Sequence, residues 1–499
     1  MPGARVLPRA VTLEGSYHAD ALSTIATLGG ADRHDPRVSD VKAAVAAGHP
    51  ATAAAGREIL ADGGNAADAA VAATLASCVA ETVMTGLAGG GHAIYWDAER
   101  ATATLVDFFV AIPGIGGDGR RGEWIELEIP FGVQPVRYAV GVGSCGVPGV
   151  PAGCGALWRR WGSMPWARLV EPALRLARSG APFLPSHARG LQMLAPVLTM
   201  REGAALYSPG GQLLAAGDTL RQPGLVAALE LVRDEGAQTF YRGTVAAQLL
   251  ALMRERGGVV TQADLAAYQA RGEPPSARCV FAGAELLTRA DLSGLVGSLE
   301  RLPVTGSAAE RALALVEALD GPAKGDGHTT NLAVVDGHGN ACDVTTSLGL
   351  GSGDYLPGLD IHLNSMLGET DLVRRDLEPG DRMASNMAPT LALDRDGLIL
   401  AAGAAGGTRI RSALTQVLSG VLAEEVEPQE AVDRPRLHPL RPAVHVEPGF
   451  DESALAALMR AGWDVRRWDS THHYFGGVSL VSRWGAAADP RRDGQALTL

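Results

Sequence analysis

From residue 51 to residue 81 the chain reads ATAAAGREILADGGNAADAAVAATLASCVAE, with polar residues gathered around Gly63-Gly64 and apolar runs on either side. This pattern predicts two helices. The glycines suit a helix end that needs positive φ, and Asn65 with Asp68 supplies acceptors for the free amides that open the second helix. That second helix is almost wholly Ala, Val, Leu and Cys, so it is expected to be buried on most sides. Residues 85–109, TGLAGGGHAIYWDAERATATLVDFF, then give a glycine-rich turn and two strand-like runs about the turn Asp97–Arg100. Residues 152–270 read as mainly helical. The signal weakens over 271–328, and DGPAKGDGH reads as an exposed connection. Strand patterning returns in TTNLAVVDGHGNACDVTTSL from Thr329, where Asp336–Asn340 carries hairpin turn chemistry.

Composition narrows the function classes. The 499 residues are 46% hydrophobic and only 5% aromatic, so small side chains must do much of the packing. A chain this long has room for roughly two to four domains or one large layered domain. The formal net charge of −12, with no long Lys/Arg run, argues against a nucleic-acid partner. The amino-terminal stretch lacks the apolar core of a secretory signal, and no later segment spans a bilayer, so a cytoplasmic location without membrane attachment is expected. Cys78, Cys145, Cys154, Cys279 and Cys342 are scattered without ligand-like spacing and read as buried free thiols. His472-His473 has no partner spacing for a metal site, GLAGGGH lacks the GxGxxG of a nucleotide loop, and DPRRDG near the end reads as a turn beside a strand.

Thr329 and Thr330 raise a chemical question. A threonine hydroxyl is a weak nucleophile unless a base is near, and an amino-terminal threonine carries that base as its own α-amine. An internal threonine reaches this state only if the chain is cut before it, and the Gly-rich segment ending at His328 suits a strained turn at which cleavage occurs. A Thr-Thr pair that opens a strand also reads simply as β-propensity. Two features favour chemistry. Across the predicted hairpin, an antiparallel return brings the Ser347 hydroxyl towards the Thr329 amine. Further on, GLILAAGAAGGTRIRSALTQVLSGVL predicts a strand, a Gly406-Gly407 turn and a helix capped by Thr408, whose outward amides suit an oxyanion hole. No metal or cofactor is required.

With these motifs, and with GREILADGGNAADAAVAATLA, VPGVPAG, VVTQADLAAY, GSGDYLPGLDIHLNSM, APTLAL and AADPRRDGQA in order, the chain resembles the gamma-glutamyltransferase family of N-terminal-nucleophile hydrolases from about residue 42 to residue 496. The resemblance implies an α+β fold, a four-layer αββα sandwich. It implies self-cleavage at His328–Thr329 into a large fragment, 1–328, and a small one, 329–499, intertwined as one domain, with a dimer of such pairs left open. Thr329 stands as nucleophile, Ser347 as the hydroxyl contacting its amine, and Gly406 and Gly407 as the oxyanion pair.

The recognition residues depart from the family pattern. Phe109 stands where an Arg clamps the substrate carboxylate, and a phenyl ring cannot replace a bidentate guanidinium. Val110 replaces a Glu, Asn331 a His, Gly349 an Asn and Met366 a polar residue. Glu369 stands for the acidic contact, Ser385-Asn386 partly replaces a Ser-Ser pair, and the Pro-rich PPSSGG stretch is lost. DFFV with its aromatic is similar to a divergent branch that includes homologues associated with actinomycete pathways to 4-alkylproline units of lincosamides, hormaomycin and pyrrolobenzodiazepines. The activity attributed there is hydrolysis of a carbon–carbon bond that releases oxalate. Three readings stand: a self-processing hydrolase of a small acidic metabolite, a true γ-glutamyl hydrolase or transferase using Arg374, Arg375 or Arg411 as carboxylate contacts, and a scaffold that does not process.

Overall fold

The computed structural model describes residues 42–119, 122–131, 134–321, 328–370, 372–373 and 376–499. Two antiparallel sheets lie at its centre. The first runs, in spatial order, Gln495–Thr498, Ala44–Ala47, His328–Val335, Ala341–Gly349, Gly90–Asp97, Thr102–Phe108 and Arg271–Glu273. The second runs Gly485–Ala488, Gly477–Ser482, Gly397–Ala405, Thr390–Asp394, Ala284–Thr288 and Ala277–Phe281.

Alternation along each strand builds the layers. In His328–Val335, Ala333 and Val335 face the other sheet and pack with Leu391, Ala401 and Val481. Leu332 and Val334 face the opposite way, against the helices Pro50–Ala61 and Ala66–Ala80. Because both faces are covered, the strand reads as a continuous apolar run instead of an alternating one. The second sheet repeats this logic: Leu400, Ala402, Val478 and Leu480 pack against Ile410 and Leu414 of the helix Arg409–Leu422. Helices thus cover the outer faces of two stacked sheets, the αββα sandwich expected from the resemblance. Both sheets combine strands from before and after the His328–Thr329 bond, and the described residues form one compact unit.

Helix Ala66–Ala80 is buried at every position, and Asn65 and Asp68 form a reciprocal capping box at its start. Of the preceding glycines only Gly63 has positive φ, at 89°. Gly64 serves closeness instead, since a Cβ there would lie 2.6 Å from the Ile59 side chain. The weak region 271–328 contains the edge hairpin of the second sheet, Ala277–Phe281 with Ala284–Thr288, and the helix Ala308–Leu319. All five cysteines are free and buried. Among the described residues no helix is long and apolar enough to cross a membrane.

Candidate active site

Thr329 lies near the start of a strand whose pairing is broken at that residue. His328 pairs with Gly349 and Thr330 with Thr346, so Ser347 and Leu348 together oppose Thr329. A bulge of this kind frees one peptide unit from the ladder and re-aims it. The freed unit is the His328–Thr329 bond. The Ser347 hydroxyl donates to the His328 carbonyl and accepts the Gly349 amide at 3.0 Å. Both hydroxyl-bearing residues are 4% exposed, so bulk water does not compete for these contacts.

The glycine-rich loop explains how the chain passes so close. A Cβ on Gly89 would lie 2.3 Å from the Ser347 carbonyl, and one on Gly90 3.1 Å from the Phe109 Cα. The loop therefore sits between Ser347 and Phe109. Phe109 is buried in an apolar cluster with Val110, Met366, Met383 and Met387, and its ring stacks on His92 at 5.3 Å. Glu369 is buried close to Tyr138, whose phenol burial holds well above its ordinary pKa. Tyr138 reaches Gly349, where a Cβ would come within 2.5 Å of the phenol oxygen. The Ser385 amide donates to Asp291 at 2.9 Å, and its hydroxyl accepts the Met387 amide at 3.2 Å, with the half-buried Asn386 between them.

Asn331 is turned between the sheets. Its amide nitrogen donates to Asp343 at 2.9 Å, to the Val344 carbonyl at 3.1 Å and to Thr345 at 3.0 Å, and Gly403 makes room for it. Burial pushes the Asp343 carboxyl well above the usual carboxylate range. Gly406 and Gly407 form the turn before the helix Arg409–Leu422 with φ of 129° and 58°, values that a side chain resists. Their carbonyls receive the Arg409 and Ile410 amides at 3.0 and 3.1 Å. Thr408 occupies the cap position without a capping side-chain bond, contrary to expectation; its hydroxyl accepts from Arg409 Nη1 at 2.7 Å instead. Arg411 is tied to the Ser298 hydroxyl at 2.6 Å and the Ala318 carbonyl at 2.5 Å, while Arg374 and Arg375 lie outside the described residues.

Two charged residues that the sequence reading did not single out also face Thr329. Glu81, at the end of the buried helix, accepts the Thr52 hydroxyl at 2.6 Å and the Thr330 hydroxyl through its other oxygen. Burial raises its pKa to about 7, against the opposing pull of those hydroxyls and of Arg492. Arg492 is buried, and desolvation lowers its pKa to about 10. Together with His187 these groups and Thr329 line a small cavity. The signal available for Glu81 was an acid closing an otherwise apolar helix, which cannot be buried without partners. For Arg492 it was a pair of adjacent arginines in the closing turn.

The fold and this threonine-centred arrangement define an N-terminal-nucleophile type of hydrolase architecture. A family model described as gamma-glutamyltranspeptidase matches residues 52–305 and 303–499, and the chain belongs to that family of hydrolases and transferases. It is 25% identical over 539 residues to the glutathione hydrolase proenzyme of Bacillus subtilis (strain 168), with 91% of each protein covered. It is 29% identical over 500 residues to the acylase ACY 1 proenzyme of Pseudomonas sp. (strain V22), covering 85% of this chain and 87% of that protein. The fold is shared with cephalosporin acylase from Bacillus halodurans at a TM-score of 0.78, with 23% identity over 95% of this chain and 98% of that one. It is shared also with LmbA2991HD at a TM-score of 0.75, with 22% identity over 93% of this chain and 99% of that one.

Proposed function

We propose that the chain cleaves itself between His328 and Thr329, and that the freed Thr329 is the nucleophile of a hydrolase for a small acidic metabolite. The observation that carries this reading is the Ser347 hydroxyl bonded to the carbonyl of the His328–Thr329 peptide at a bulge. Thr329 Oγ adds to the His328 carbonyl carbon, and Ser347 stabilises the oxygen as it becomes negative. The C–N bond breaks, the nitrogen takes up the hydroxyl proton, and an ester joins His328 to the Thr329 side chain. Water hydrolyses that ester, giving a His328 carboxylate and a free Thr329 amine. The intertwined fragments 1–328 and 329–499 then act as a pair.

The α-amine next accepts the Thr329 hydroxyl proton as the side chain attacks a substrate carbonyl, with the Gly406-Gly407 turn at the oxyanion. In this reading Phe109, Asn331, Glu369, Ser385 and Asn386 are assigned as the substrate contacts that set specificity. Loss of a charged bidentate contact at Phe109 costs about 2–4 kcal/mol for a γ-glutamyl ligand, on the order of a hundredfold in binding. Within this reading the finer assignment is carbon–carbon hydrolysis of a 2-oxoacid side chain. Thr329 attacks the ketone-like carbon, an enamine carbanion leaves and takes a proton, and water releases oxalate from the oxalyl ester. The glutathione hydrolase name of a relative at 25% identity favours the second reading, γ-glutamyl transfer.

The two are separated by incubating self-cleaved protein with a chromogenic γ-glutamyl anilide and, in parallel, with cyclised 2-oxoacid substrates, following anilide colour and oxalate by mass spectrometry. Oxalate release with negligible colour is expected. Colour at rates ordinary for glutathione hydrolases would overturn the substrate assignment.

A further inference from the structure

Self-cleavage employs Thr329 and Ser347 and gives Arg492 no task. Its side chain is only 6% exposed, yet among the described residues it forms no ion pair, and its Nε has no hydrogen-bond partner. Among the described residues the terminal nitrogens have as hydrogen-bond partners only the Met84 sulfur at 3.4 Å and the His473 carbonyl at 3.5 Å. Its neighbour Arg491 shows the contrast, held by the Glu447 carboxylate and by Asp489 at 3.2 Å. A guanidinium buried without a bonded carboxylate, with one nitrogen unpartnered and the others on long contacts, carries an uncompensated charge and keeps donors available to an anion.

Its position is built. A Cβ on Gly477 would lie 2.3 Å from the Arg492 Cγ, so that glycine makes room for the stem, and a Cβ on Gly406 would lie 3.5 Å from Nη2. The guanidinium is thus set against the turn proposed as the oxyanion site. With Thr329, Glu81 and His187 it lines a cavity of about 10 Å³, room for a single water molecule. The His328 ring lies next to this cavity: its Nδ1 is 3.2 Å from the sulfur of Met84, which lines the cavity and which Arg492 also touches. Cleavage of the His328–Thr329 bond would free that ring to leave, which would open space for a planar group between Met84, Arg492 and Thr329.

We infer that Arg492 is the anion site of the cleaved enzyme, holding the carboxylate of a small 2-oxo or dicarboxylic acid beside Thr329. The inference rests on the reading of Thr329 as the freed nucleophile. It also gives the departure at Phe109 a counterpart, since the cation comes from the closing turn instead of from the strand end. Charge in the cavity agrees. Burial first, then the fields of Arg492 and Arg409, lower the His328 pKa to about 3, so the site disfavours cations. Two acids line the cavity, Asp489 and Glu81. The field of Asp489 acts on Arg492, but its oxygens pair with Arg436 at 2.6 Å and Arg491 at 3.2 Å. Glu81 has its oxygens engaged by Thr52 and Thr330, and its raised pKa leaves it partly neutral near pH 7. His187 is held neutral by burial, by His49 and by Arg492, and its Nδ1 has no partner.

The test is calorimetric binding of oxalate, with oxamide as its neutral isostere, to self-cleaved wild-type protein, Arg492→Gln, Arg492→Lys and the exposed control Arg467→Gln. Oxalate is expected to bind wild type and control alike, oxamide at least tenfold more weakly, and Arg492→Gln to lose at least tenfold, with Arg492→Lys between. Arg492→Gln binding oxalate within twofold of wild type, oxamide matching oxalate, or cleaved wild type binding neither overturns the inference. Independently of any variant, phenylglyoxal modification of Arg492 in cleaved wild type, mapped by peptide mass, is expected to be suppressed by oxalate and not by oxamide; equal modification overturns it too. Wild type that never cleaves refutes the parent reading and this site with it, whereas cleaved wild type indifferent to Arg492→Gln refutes this inference alone.

Discussion

Replacing Ser347 with alanine tests the self-cleavage geometry where it is most specific. The hydroxyl donates to the carbonyl that would become the oxyanion and accepts the Gly349 amide at 3.0 Å. Deleting a preorganised donor to a developing oxyanion costs about 2.7–4 kcal/mol, which slows cleavage by roughly 10² to 10³. At 4% exposure Ser347 leaves little room for water to replace it, so the upper part of that range is expected. The ground state changes less, because the lost neutral hydrogen bond and the orphaned Gly349 amide together contribute about 1–3 kcal/mol to stability. Freshly synthesised Ser347→Ala chain is followed by intact mass over hours, with circular dichroism showing that it is folded. A folded variant that cleaves within twofold of the wild-type rate would refute the role assigned to Ser347.

Thr329→Ala is expected to stay full length under all conditions with an unchanged circular dichroism spectrum, and cleavage of this variant at the same bond would remove Thr329 from the mechanism. Glu81 should make stability pH-dependent in a defined direction. Burial raises its pKa from the ordinary carboxylate value of about 4.5 to about 7 in the folded chain, so the folded state binds the extra proton between those values. Its contribution is present below about pH 4.5 and is lost as pH rises towards 7, a decline on the order of 3 kcal/mol. Urea denaturation from pH 5 to 7.5 should show this decline in wild type relative to Glu81→Gln; parallel curves would contradict the burial argument. Phe109→Ala removes a ring that is 2% exposed and should lower stability by about 3–5 kcal/mol in urea titrations, whereas a change under 1 kcal/mol would mean that the ring is loosely packed.

How much the sequence disclosed depends on the range of the interaction. Local signals were legible: Asn65 and Asp68 announce a capping box three residues wide, and Asp336–Asn340 announces the hairpin that returns Ser347 to His328. The layered sheets were legible through the apolar runs, because a strand covered on both faces loses its alternation. The edge hairpin Ala277–Thr288 was not. Its two-residue turn, Ala282-Gly283, puts Ala at the first left-handed position (φ 50°) and Gly only at the second (φ 80°), a weaker signal than Asn-Gly, and its edge strand mixes exposed and buried positions. Glu81 and Arg492 escaped for a different reason. They meet Thr329 only through the tertiary fold, from helix end and closing turn, and nothing local to either residue marks that meeting.

The central claim is that Thr329 becomes an amino terminus by the chain's own chemistry. Electrospray mass spectrometry of purified, denatured wild-type protein, with amino-terminal sequencing of the smaller species, tests it most directly. The account predicts two species, residues 1–328 and residues 329–499, the second beginning Thr-Thr-Asn-Leu. A single 51.6 kDa species after prolonged incubation, or a smaller fragment that begins at any other residue, would contradict it.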